Sequence, residues 1–136
     1  MIKNGPLVST KISLYAFSFF YVGAGVNHFI NPDFYLGLIP DYLPYHETIN
    51  YMSGVLEIII GLAVLNLKTR KIASLLTIIM LVAFIPSHIF FIKIGSCVDN
   101  GLCVSSWIAW FRLLVIHPLL IIWALSVGKI RIRGLF

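Results

Sequence analysis

Four long apolar runs, separated by short polar or charged stretches, dominate the pattern of the chain. They cover about residues 12–30, 48–67, 72–94 and 107–127. Drawn as a helix, each run is apolar around nearly its whole circumference, and each supplies the roughly 20 residues that cross a hydrocarbon core. The pattern predicts an all-α fold in which residues 1–136 form a single transmembrane four-helix bundle.

The composition agrees with a surface that faces lipid. Hydrophobic residues make up 60% of the chain and charged residues 11%, which is more apolar material than a soluble domain of this size can bury. Helices are favoured over a barrel because a single helix in lipid satisfies its own backbone hydrogen bonds. A secretory signal ending near Val22-Gly23-Ala24 is a weaker interpretation of the first run, since the apolar stretch continues to spanning length.

Basic residues flank the runs almost entirely on one side. That side carries Lys3, Lys11, Lys68, Arg70, Lys71, Lys129, Arg131 and Arg133. The opposite side has only Lys93, and its loops carry acidic residues. The positive-inside rule predicts a multi-pass protein of the bacterial inner membrane with both termini in the cytoplasm. Because this topology explains the net charge of +5, the expected partner is the lipid bilayer and not a nucleic acid.

The first outer loop, around residues 31–46, is unusually apolar for a free loop. It contains Pro32, Pro40 and Pro44 among aromatic and aliphatic residues. We expect it to lie in the membrane interface as a cap on the outer side, with a short helix near residues 34–39.

The second outer loop contains both cysteines of the chain, Cys97 and Cys103. An Asn100-Gly101 turn signal between them predicts that the two sulfurs lie close together. A structural disulfide is the first interpretation on the oxidising face of the membrane. The second is a redox-active pair that exchanges electrons with a partner thiol, although the spacing is not that of a thioredoxin-type pair.

Six polar or ionisable residues fall inside or at the ends of the predicted spans, where they are costly unless paired or hydrated. They are Asn27, His28, Glu57, His88, Arg112 and His117. Glu57 shares a helix face with Gly54 and Gly61, so it is predicted to point into the bundle. Arg112 and His117 are five residues apart, about 140° around an α-helix, so only one is predicted to point straight at the axis.

Three interpretations of this set remain open. In the first, Glu57 and Arg112 form an interior ion pair that fixes the bundle. In the second, the set lines an outward-opening cavity that binds a polar head group such as a quinone carbonyl. In the third, His28, His88 and His117 join Glu57 around a metal or haem. No metal site is predicted, because no helix carries two histidines four residues apart.

Several motifs resemble one known family. They are Gly25-x-x-His28-Phe29, the loop with Pro32, Pro40 and Pro44, Ser53-Gly54-x-x-Glu57-x-x-x-Gly61, Pro86 in the third span, and Arg112 with residues 119–124 in the fourth. Together they look like the DoxX-like family of small four-helix membrane proteins, and the resemblance covers nearly the whole chain. The Gly-x-x-His-Phe and Ser-Gly-x-x-Glu motifs are its most specific part.

The chain departs from that family's pattern at two positions. Many relatives carry Pro-x-Asn in the third helix, where this chain has Pro86-Ser87-His88. They carry Arg-Leu-Pro-x-Gln in the fourth, where this chain has Arg112 followed by His117. At both positions this chain has a histidine where those relatives have an asparagine or a glutamine. A titratable imidazole therefore replaces a neutral amide.

The resemblance implies a role in redox metabolism, because members of the family are linked by name to a thiosulfate:quinone oxidoreductase and to membrane complexes that handle oxidative stress. We therefore expect a quinone-interacting or thiol-redox accessory subunit that works with a membrane or periplasmic redox protein. The alternative is a non-catalytic, chaperone-like assembly subunit whose polar core only fixes helix register. A transporter would require a homo-oligomer, since four short helices leave little room for a pore.

Overall fold

The computed structural model describes residues 7–129, and over that range it contains helices and loops without a β-strand. The helices are α1 (Leu7–Ile30), α2 (Pro32–Leu36), α3 (His46–Ala63), α4 (Arg70–Lys93) and α5 (Ser106–Gly128). The all-α prediction is therefore confirmed. Lys3, Arg131 and Arg133 of the predicted basic clusters lie outside the described residues.

Helix α3 ends earlier than the apolar pattern predicted, at Ala63 and not near residue 67. The cause is the polar turn that follows. The Thr69 hydroxyl donates a 2.6 Å hydrogen bond to the carbonyl of Ala63, and the Arg70 Nε–H donates a 2.9 Å bond to that of Val64. These side chains satisfy carbonyl groups that a helix end leaves without partners, so the chain turns and α4 begins.

Helices α1 and α3 form a tightly packed pair through small residues. A Cβ atom added to Gly54 would lie 2.8 Å from the carbonyl oxygen of Gly25, and one added to Gly61 would lie 2.9 Å from that of Ser18. The Ser18 hydroxyl donates a 2.6 Å hydrogen bond to the Gly61 carbonyl. The two backbones therefore meet directly, and Glu57 between the glycines is buried as predicted.

Helices α4 and α5 form the second pair, and α5 is not α-helical throughout. Its segment Arg112–Ile116 is a π-helix, in which the backbone N–H of His117 donates to the carbonyl of Arg112. A π turn closes five residues apart instead of four, and such turns are frequent at functional sites. Side chains five residues apart across this segment therefore lie on the same face of α5, which they would not do in a regular α-helix.

The two helix pairs meet at the end of the bundle away from the cysteines. There the rings of Phe17 and Trp123 contact edge to face, with centroids 5.1 Å apart. The Trp123 indole N–H also donates a 2.9 Å hydrogen bond to the Ser13 hydroxyl. Phe17 is fully buried together with Ile60 and other apolar side chains, so this end holds the hydrophobic core.

Two helices within the described residues, α4 and α5, are long and apolar enough to cross a membrane. Only 22% of the most apolar stretch of α4 and 17% of that of α5 is buried. A core helix of a soluble protein would be mostly buried. Of the other two long helices, α1 carries Asn27 and His28, and α3 carries Asn50 and Glu57.

The outer loops pack against each other. The cap helix α2 covers Pro32–Leu36, earlier than the predicted residues 34–39, because proline is favoured in the first turn of a helix. Cys97 and Cys103 form a disulfide, and the Gly101 N–H donates to the Val98 carbonyl in the predicted turn between them. Val98 fills the space beside Gly37, so the cysteine hairpin rests on the cap.

Candidate functional site

A cavity of about 820 Å³ lies between the α1–α3 pair and the α4–α5 pair, with α2 and the loop after it at its outer end. Most of its lining is apolar. Five of the six predicted polar residues line it, namely His28, Glu57, His88, Arg112 and His117. The sixth, Asn27, lines a smaller cleft of about 350 Å³ at the outer surface, where it donates a 2.9 Å hydrogen bond to the Tyr35 hydroxyl. Asn27 therefore supports the cap and is not part of the cavity wall.

His28 is held by Asn50 and Tyr35. The Asn50 amide Nδ2–H donates a 3.0 Å bond to the carbonyl of His28, which leaves its Oδ1 to accept from the imidazole Nδ1–H at 2.7 Å. The Tyr35 ring stacks on the imidazole with centroids 3.6 Å apart. Burial raises the pKa of Tyr35. With Nδ1 committed to Asn50, the Nε2 of His28 is the atom that faces Glu57.

Glu57 has no ion pair with Arg112, so that prediction is wrong. Its Oε2 lies 3.5 Å from Nε2 of His28, a contact that is an ion pair only when the imidazole is protonated, and no other carboxylate within the described residues contacts a basic side chain. The close crossing of α1 and α3 brings His28 against Glu57, whereas Arg112 faces the cavity from the other helix pair. Glu57 Oε2 and the hydroxyl of neighbouring Tyr21 are both buried without a hydrogen-bond partner in residues 7–129.

His88 and His117 form the opposite wall of the cavity. The Nδ1–H of His88 donates a 3.0 Å bond to the Phe84 carbonyl, and the Nε2–H of His117 donates a 2.6 Å bond to the Leu81 carbonyl. In the neutral form of each ring, the other nitrogen, Nε2 of His88 and Nδ1 of His117, is an acceptor. The two rings meet edge to face with centroids 4.8 Å apart.

Arg112 and His117 both line the cavity, although an α-helix would have turned one of them away. The π turn between them is the reason, because it places residues five apart next to each other. Arg112 is half-buried. Its guanidinium has neither an ion pair nor a hydrogen bond to any residue from 7 to 129, so its donors are free for a ligand.

The described residues bring no three histidine, cysteine, aspartate or glutamate side chains together in a geometry suited to a metal ion. His28 and Glu57 belong to one wall, while His88 and His117 belong to the other. Cys97 and Cys103 are both exposed and lie outside the cavity lining. The cavity is therefore a site of hydrogen-bond donors and acceptors in an apolar setting.

Five further polar residues line the cavity outside the predicted set, namely Tyr21, Tyr35, Asn50, Ser53 and Ser87. Asn50 had a usable signal, because it lies four residues before Gly54 and seven before Glu57, on the same helix face. Tyr35 had none, since its position depends on how the cap folds over the bundle. Tyr21 also had a usable signal, because it lies seven residues before His28 on the same helix face.

The fold and the cavity define a small all-helical protein with an amphipathic pocket between two helix pairs, two of whose helices are apolar enough to span a membrane. Residues 17–128 match the model of the family described as Domain of unknown function (DUF8561), and the chain belongs to that family. Comparison with curated proteins and with solved structures finds no match. The match extends from α1 to the end of α5, so it includes every residue of the cavity.

Proposed function

We propose that this chain is a four-span protein of the bacterial inner membrane. Large apolar side chains are exposed on α1 and α3 as well as on α4 and α5. Examples are Phe19 on α1, Met52 on α3, Ile79 on α4 and Leu119 on α5. Exposed apolar side chains on all four long helices are favourable in contact with lipid and costly in contact with water. Even α3, with 18 residues, is about 27 Å long at about 1.5 Å per residue, close to the thickness of a hydrocarbon core.

The orientation in this proposal places both termini in the cytoplasm. Lys68 lies in the turn between α3 and α4, and Arg70 and Lys71 begin α4, at the same end of the bundle as Lys11 and Lys129. The opposite end carries the cap and the cysteine hairpin. The positive-inside rule supports a cytoplasmic position for the basic end.

Within this topology, the protein binds a quinone and acts as a redox-associated accessory subunit. A benzoquinone ring is apolar on its faces and carries two carbonyl acceptors on opposite edges. The cavity offers an apolar lining with donors on two walls, Arg112 on one and the Tyr21 hydroxyl on the other. Its volume lies within the range of small-molecule sites. This proposal also fits a relation to the DoxX-like family.

The observation that carries this proposal is a set of polar groups without partners. Buried polar atoms cost free energy unless they are hydrogen-bonded. Tyr21 Oη and Glu57 Oε2 lack partners, and Arg112 is unpaired, yet all three residues line one cavity. A ligand that accepts from Tyr21 and Arg112 would satisfy two of these groups at once.

The test is quinone binding by the purified protein in lipid nanodiscs, measured by calorimetric titration with decylubiquinone. Glu57→Ala is expected to weaken binding about tenfold, because it removes one of the buried polar groups that line the site. The matched control is Glu47→Ala, which removes an exposed carboxylate from the same helix. Binding by Glu57→Ala at wild-type strength would contradict the proposal.

A thiol-redox role is the second candidate, and the exposure of the disulfide-bonded Cys97 and Cys103 favours it. A periplasmic thiol protein would be the partner. The double variant Cys97→Ser/Cys103→Ser separates the two candidates in the same titration. Quinone binding is expected to survive in it, because neither cysteine lines the cavity. If no quinone binds and Glu57→Ala lowers only thermal stability, the protein is instead a non-catalytic assembly subunit.

A further inference from the structure

The cavity wall is open between α3 and α4. Four residues there line the cavity and are also exposed on the outside of the bundle: Met52 on α3, and Leu76, Ile79 and Ala83 on α4. Met52 is 61% exposed and Ile79 is 64% exposed. We call this place the α3–α4 opening. All four of its side chains are apolar.

The other sides of the cavity are more closed. The direct backbone contact at Gly25 and Gly54 closes the space between α1 and α3. At the outer end, Tyr35 stacks on His28 and Ile39 is buried beneath the cap. Between α1 and α5 the contact of Phe17 with Trp123 closes the inner part. Phe20 and Ile116 are the exposed lining residues that remain on that side.

The α4 residues of the opening lie deeper in the membrane than His88. On α4, Ala83 precedes His88 by five residues and Ile79 precedes it by nine. These separations correspond to about 8 Å and 14 Å along the helix, away from the outer surface. A head group held by Arg112, beside His88, would therefore have the α4 side of the opening towards the membrane midplane. A passage that is lined by apolar side chains and leads towards the middle of the membrane suits a hydrocarbon chain.

We infer that the ligand of this cavity is a quinone with a hydrocarbon tail, and that the tail leaves through the α3–α4 opening into the lipid. The inference rests on the proposed quinone function and specifies the substrate class. It makes Ala83, Ile79 and Met52 specificity-determining residues, because their size decides whether a tailed molecule fits. A tailless quinone needs only the polar head site.

The experiment places a bulky side chain in the opening. Ala83→Trp is titrated in nanodiscs with decylubiquinone and with its tailless head, dimethoxy-methyl-benzoquinone. We expect decylubiquinone to bind at least about tenfold more weakly than to the wild type, and the tailless head to bind within about twofold. The matched control is Val82→Trp, since Val82 is the adjacent residue, is exposed, and does not line the cavity. It should bind both probes as the wild type does.

A second obstruction from the other side of the opening, Met52→Trp, should reproduce the selective loss. Binding of the tailless head reports that each variant still has a folded site. The inference is overturned if decylubiquinone binds Ala83→Trp and Met52→Trp as strongly as the wild type, or if both variants weaken the two probes equally. It is also overturned if the selective loss appears only with Ile116→Trp, which would place the tail between α1 and α5. Failure of the wild type to bind either probe would instead reject the proposed quinone function.

Discussion

The two helix pairs that enclose the cavity handle their polar residues in different ways. In the α1–α3 pair, Ser18 bonds to the Gly61 carbonyl and His28 bonds to Asn50, so polar groups join the two helices across glycines. In the α4–α5 pair, His117 also bonds across to the Leu81 carbonyl, but His88 bonds only to a carbonyl of its own helix and Arg112 has no partner in residues 7–129. Pro86 and the π segment interrupt the regular hydrogen bonding of this pair.

This difference indicates a division of labour. Polar groups that are paired between helices determine one arrangement of those helices. Polar groups that stay unpaired contribute little to stability and are retained for another reason. We therefore regard the glycine crossing and the His28–Asn50 contact as the scaffold, and the unpaired groups of Tyr21, Glu57 and Arg112 as those that select the ligand. Substitutions at the paired residues should mainly affect stability, and those at the unpaired residues should mainly affect binding.

The largest expected effect on stability comes from Gly54→Ala. The new Cβ would lie 2.7 Å from Cβ of His28 and 2.8 Å from the carbonyl oxygen of Gly25, so α1 must move away from α3. We expect a loss of about 3 kcal/mol in the free energy of unfolding, measured by thermal unfolding in detergent. Gly23→Ala is the control, because its Cβ would meet nothing within 4 Å. Equal melting temperatures for the two variants would remove the evidence for a glycine-dependent crossing.

A smaller loss is expected from Asn50→Leu. The substitution removes both bonds to His28 and leaves the imidazole Nδ1–H without its acceptor. The cost should be about 1 to 2 kcal/mol in the free energy of unfolding, measured in the same way. Thr48→Leu, at an exposed position of the same helix, is the control and should change little. A stable Asn50→Leu variant would show that the α1–α3 pair does not depend on its polar contacts.

The smallest effect on stability is expected from Arg112→Met. Because the guanidinium is half-buried and unpaired, an apolar side chain of similar length should change the free energy of unfolding by less than about 1 kcal/mol, towards higher stability. Decylubiquinone binding should nevertheless fall. Lys93→Met removes a cation at the exposed end of α4 and should leave binding unchanged. Strong destabilisation by Arg112→Met would mean that Arg112 belongs to the scaffold.

The number of long helices and the inward direction of Glu57 could be predicted because both depend on local pattern. Apolar runs of sufficient length predict helices, and the spacing of Gly54, Glu57 and Gly61 places all three on one face. The cysteine pairing could also be predicted, since an Asn-Gly turn between Cys97 and Cys103 brings them together. Each of these inferences needs only residues that are close in sequence.

The contacts across the cavity could not be predicted from the sequence. Glu57 contacts His28 without a hydrogen bond, and that contact depends on how closely α1 and α3 approach. The positions of Arg112 and His117 were derived for an α-helix, whereas the chain forms a π turn between them. A π turn has no reliable sequence signal, because its cost is offset by contacts made elsewhere in the fold.

The π turn also affects how this chain is compared with other sequences. It accommodates one residue more than a regular turn, so an insertion of one residue at this point need not alter the rest of α5. Under the proposed relation to the DoxX-like family, whose pattern Arg-Leu-Pro-x-Gln separates its arginine and amide by four residues, the five-residue separation of Arg112 and His117 requires one such insertion. With a one-residue gap placed inside this helix, an alignment would pair the glutamine with His117, whereas an ungapped alignment would pair it with Ile116.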